Sequence, residues 1–151
     1  MTIPLTGGGG SASSGMRWAV AALDHGAALA GYSAVPEAAP AGGGWRRLYL
    51  KEGGAPTLAA VGAEGGAWAS LGIEIAVVRD RVEAQAADLI RALAPYEVAL
   101  DLDAGADRYG SDAVLRVALR LFVDGFHRGT FREAAGNVIE AAAVARRVLG
   151  V

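Results

Sequence analysis

The chain has 151 residues, 53% hydrophobic and 20% charged, with a formal net charge of −2 and no cysteine. That excludes a disordered chain, a disulfide or cysteine–zinc scaffold, and a partner that binds nucleic acid through net positive charge alone. No apolar run approaches the roughly 20 residues of a membrane span, and the N-terminus lacks a signal-peptide pattern, so one soluble cytoplasmic domain with no membrane partner is expected.

Residues 1–15, MTIPLTGGGGSASSG, are small, polar and Gly/Ser-rich, and read as a flexible leader. Residues 16–44 read as a small hairpin and linker. In RWAVAALDHGAALAGYSAV, Asp24-His25-Gly26 makes a turn between two short strands, in preference to an Ala-rich helix with Gly26 inside it. PEAAPAGGG is a linker by composition.

Residues 45–151 are denser. WRRLYLK (45–51) alternates as a strand does, and PTLAAVGAE (56–64) reads as a helix begun by Pro56. AWASLGIEIAVV (67–78) holds one or two short strands. DRVEAQAADLIRALAP (80–95) is a helix with Val82, Ala86, Leu89, Ile90 and Leu93 on one face, stopped by Pro95. YEVALDLD (96–103) is a strand. In SDAVLRVALRLFVDG (111–125), Leu115, Val117, Leu119 and Leu121 alternate as in a strand, whereas Asp112, Arg116, Arg120 and Asp124 share a helical stripe; the stripe favours a helix. TFREAAGNVIEAAAVARRVL (130–149) opens on the capping-box pair Thr130 and Glu133 and continues as an amphipathic helix.

Strands alternating with helices predict an α/β fold: a mostly parallel sheet flanked by helices, with 45–51 beside 96–103. Function in such sheets collects at the carboxyl ends of strands. Asp101 and Asp103, two apart on a strand, project from one face. Close carboxylates repel unless a cation lies between them, and Mg²⁺ takes such ligands with water and phosphate oxygens. Glu52, at the other acidic strand end, supplies a third carboxylate for the metal or for acid–base work.

EGGAPTLAAVG (52–62), followed by EAQAADLIRALAPYEVALDLDAG (83–105), resembles the Toprim domain of primases, topoisomerases and OLD-type nucleases in motif order and spacing across about residues 45–125. The resemblance implies a Toprim-like fold and Mg²⁺-dependent phosphoryl transfer on nucleic acid, as in a primase-like or small mobile-element protein. Glu52 would be the general acid/base, and Asp101 and Asp103 the metal ligands.

Plainer readings stand beside this one. The two aspartates suit a solvated strand end and turn. DLDAGADRYGSD departs from a calcium loop at its fifth and sixth positions. His25 and His127 read as surface loop residues, Trp45 and Trp68 as core, and Arg46, Arg47 and Lys51 as an edge strand able to touch phosphates. The alternative function is a non-catalytic binding or assembly module with other protein subunits as partners, for instance a phage virion component.

Overall fold

Ala19, Leu23 and Ala27 recur every four residues and form the buried stripe of helix α1 (Gly10–Leu29). The structure, a computed structural model, describes residues 10–38, 43–63, 68–104, 112–122 and 128–151. After α1 come strands β1 (Ser33–Pro36), β2 (Trp45–Leu50), β3 (Leu58–Gly62) and β4 (Trp68–Val77). Helices α2 (Arg79–Ala84) and α3 (Ala86–Leu93) lead through a 3-10 turn, Ala94–Tyr96, into β5 (Ala99–Asp103). Strand β6 (Ala113–Phe122) and helix α4 (Arg128–Leu149) complete the chain. The strands form one six-stranded antiparallel sheet in the order β1-β2-β3-β4-β6-β5.

This corrects the expected mostly parallel, Toprim-like sheet. Parallel pairing needs a crossover of a dozen or more residues between strands. Two segments expected to supply helical crossovers, 56–64 and 111–125, are instead the strands β3 and β6. The β2 and β5 segments, expected side by side, are not neighbours, because β3, β4 and β6 stand between them in the strand order.

Each misread segment has a local cause. Ala59 and Ala60 favour a helix by propensity, but Gly62 lies directly opposite Trp45, and a Cβ there would clash with the indole ring. In β6, Ala113 to Ala118 are all buried, as in a strand covered on both faces. Arg116 finds Glu74 at 3.8 Å across the sheet and Asp101 as its register partner on β5, rather than partners four residues away on a helix.

The expected N-terminal hairpin is also corrected. Asp24-His25-Gly26 lies within α1, which already includes residues 10–15 of the expected leader; residues 1–9 lie outside the described ones. The stop signal is Gly31, at φ 90°: its N–H reaches the Ala28 carbonyl at 3.0 Å, and the Tyr32 N–H reaches that of Ala27 at 2.8 Å. That pair of bonds is the Schellman ending of a helix, in which glycine takes the left-handed position without a Cβ penalty.

The chain divides into two compact units, Met1–Leu71 with Arg120–Glu133, and Gly72–Leu119 with Ala134–Val151. In the first, Phe131 is buried edge-on against Tyr32 and Tyr49, with ring centroids 5.6 and 5.2 Å away. In the second, α4 buries Val138, Ala141, Ala145 and Leu149, and the Asn137 amide donates to the Tyr96 carbonyl at 2.9 Å. The Asp112 carboxylate accepts from the Arg79 N–H at 2.9 Å, satisfying a donor at the start of α2. Among the described residues no helix is long and apolar enough to cross a membrane.

Candidate functional site

Leu100 and Leu102 alternate along β5 with Ala99, Asp101 and Asp103, so the strand has one apolar and one acidic face. On the apolar face, beside Leu115 of β6, the register partner of Leu102, a cleft of about 450 Å³ opens. Its far wall is Val82 of α2 with Leu89, Ile90 and Leu93 of α3. The helices dock through Val82, Leu89 and Leu93, which are buried, while Ile90 remains 64% exposed. The i,i+4 spacing that put these residues on one helical stripe therefore makes both a packing seam and the lip of an open apolar site. The volume lies within the roughly 300–1,000 Å³ of ligand sites.

Glu97 lines the end of the cleft next to the 3-10 turn and takes φ 55°, the one described non-glycine residue in the left-handed region. That conformation redirects the chain from the turn into β5. Strand β5 is the last in the sheet order, with β6 on one side and no described strand on the other. An edge strand presents a row of unpaired N–H and C=O groups.

Asp101 and Asp103 do share the exposed face of β5, as the alternation requires. Asp101 has Arg116 as its register partner on β6, but the Arg116 side chain is buried and pairs with Glu74 at 3.8 Å. Glu52 is an exposed residue of the bend after β2, in the other unit. No three His, Cys, Asp or Glu side chains group to hold a metal among the described residues. Glu52, Asp101 and Asp103 are not brought together as a metal-holding group among the described residues.

The first unit holds a polar cluster that the sequence did not announce. Arg47 grips Asp24 in a two-pronged ion pair, Nε to Oδ1 at 3.0 Å and Nη2 to Oδ2 at 2.5 Å, and the Tyr49 hydroxyl donates to Oδ1 at 2.9 Å. The bond to Asp24 raises the Arg47 pKa, and burial, reinforced by Asp24, raises that of Tyr49. Burial also raises that of Tyr32, over whose ring the Lys51 ammonium lies at 5.3 Å. Every partner here is satisfied by a neighbour in the same unit, so the cluster fastens α1 to β2. Arg46, expected on a phosphate-binding edge with Arg47 and Lys51, pairs with Glu37 at 2.6 Å. Trp45 is buried as expected; Trp68 is half-buried beneath the Arg120 guanidinium at 4.3 Å. His25 is exposed, but on α1 rather than in a loop, and His127 lies outside the described residues.

The cleft was legible only in part. The helical stripe and the alternation of β5 were both visible, but nothing in the sequence stated that α3 and β5 would enclose a common space. Comparison with known protein families, curated proteins and solved structures finds no match.

Proposed function

We propose that the chain is a non-catalytic protein-binding or assembly module whose partner occupies the apolar cleft between α3 and β5. The observation that carries this reading is the cleft itself: ten apolar residues line an open space beside a strand edge that no described strand covers. Exposed apolar surface of this kind is costly in water and characteristic of interaction sites. The Mg²⁺-dependent phosphoryl-transfer expectation rests on motif order and spacing alone, since the sheet is antiparallel.

An uncharged solvatochromic dye such as Nile red tests the site. Its fluorescence should rise on binding the folded chain, and Ile90→Asp should remove most of that rise while leaving the melting temperature nearly unchanged. An equal rise in the variant would contradict the reading. A thermal melt with millimolar Mg²⁺ tests the competing one: no shift is expected, whereas a gain of ~2.7 kcal/mol at a hundredfold excess of metal over its dissociation constant, lost in Asp101→Asn/Asp103→Asn, would restore the metal site.

A further inference from the structure

The cleft and the two aspartates belong to one strand, and together they specify more than an apolar partner. We propose that β5 receives an extended peptide segment by strand addition, with apolar side chains entering the cleft and basic side chains, at the alternate positions, meeting Asp101 and Asp103. The proposal rests on the binding-module reading and deepens it by naming the partner's chemistry.

A segment laid along the edge of β5 that no described strand covers takes up the outward N–H and C=O groups there. Its side chains then alternate between the two faces of the sheet with a period of two. One set reaches the face of Leu100 and Leu102, where Ile90 and Val82 leave apolar space open. The other reaches the face of Asp101 and Asp103, both exposed. Opposite charges directly across a ladder stabilise it and like charges destabilise it. Both carboxylates are exposed, and Asp103 has the apolar Val114 as its register partner, so basic side chains meeting the two positions supply the selectivity.

The same charges argue against a second copy of this chain as the occupant. Two β5 strands paired about a two-fold axis set residues of equal parity opposite one another. The register centred on Asp101 places Asp101 against Asp101, and the one centred on Leu102 places Asp101 against Asp103. Acid meets acid in both. Acidic edges of this kind prevent self-association, and here they leave the edge open to a strand of opposite charge.

Three capped nonapeptides test this: one alternating Val/Leu with Lys, one alternating Val/Leu with Glu, and one with the composition of the first in blocks rather than alternation. Fluorescence anisotropy against the full chain should give the Lys peptide a dissociation constant on the order of tenfold lower than the Glu peptide, a preference that shrinks with added salt. The block peptide should bind weakly. Asp101→Lys/Asp103→Lys, which makes the same face basic, should reverse the ranking of the two alternating peptides. Asp101→Asn/Asp103→Asn should abolish it without reversal. Equal affinities for the Lys and Glu peptides, with Ile90→Asp weakening both, would overturn the strand-addition proposal and leave the binding cleft standing. No effect of Ile90→Asp on dye or peptide would overturn both. A dimer in sedimentation that slows exchange of the β5 amides without added peptide would assign the edge to a second copy and also overturn the proposal.

Discussion

Helices α1 and α3 both lie against a strand, yet one seam is filled and the other is open. Beside α1, the Asp24–Arg47–Tyr49 bonds and the Tyr32–Phe131–Tyr49 rings occupy the space, and Tyr49 and Phe131 are fully buried. Beside α3, the packing stops at Leu89 and Leu93, and Ile90 is left as a largely exposed rim. The first arrangement serves stability: its polar groups are partnered and its rings interdigitate. The second leaves apolar surface that only a partner can cover.

If that contrast holds, the largest loss comes from the filled seam. Phe131→Ala removes a ring held between two others and should cost about 3–5 kcal/mol in a denaturant melt. A loss below 1 kcal/mol would mean that the seam is not packed as described. Asp24→Ala leaves the partly buried Arg47 guanidinium and the Tyr49 hydroxyl without their acceptor, and should cost about 2 kcal/mol. Alkali sharpens the same point. Tyr49 has its pKa raised on folding, so above the unfolded value of about 10 the unfolded chain releases a proton that the folded chain keeps. Its contribution is complete below pH 10 and is lost as pH rises further, with a slope of about 1.4 kcal/mol per unit. Tyr49→Phe should flatten that slope in melts between pH 10 and 12, with Tyr32 supplying what remains.

The open seam should respond in the opposite sense. Ile90→Asp, at a largely exposed position, should change stability by less than about 0.5 kcal/mol while abolishing dye and peptide binding. A large loss of stability would show that Ile90 is structural and that the cleft is closed in solution.

The sequence disclosed these two regions unequally. Alternation in WRRLYL identified β2, and the apolar stripe of residues 80–93 identified helical structure there, though the one expected helix is broken at Gln85 into α2 and α3. The alternation placed the acids of β5 on one exposed face, but their register partners Arg116 and Val114 lie on a segment where charge spacing suggested a helix. Intrahelical and cross-strand pairing both satisfy those charges, and only burial on both faces of β6 decides between them. Gly26 looked like a turn because glycine commonly breaks helices, yet it is buried in the interior of α1, while Gly31 performs the ending. The Asp24–Arg47 pair spans 23 residues, a separation at which no local pattern predicts contact.

Amide hydrogen exchange of β5 tests the central claim most directly. In the free chain, the β5 amides that do not bond to β6 should exchange rapidly. Saturation with the alternating Lys peptide should slow those amides specifically, from Ala99 to Asp103, while the amides of α1 and β2 exchange as before. Saturation that leaves the β5 amides unchanged would contradict strand addition at this edge.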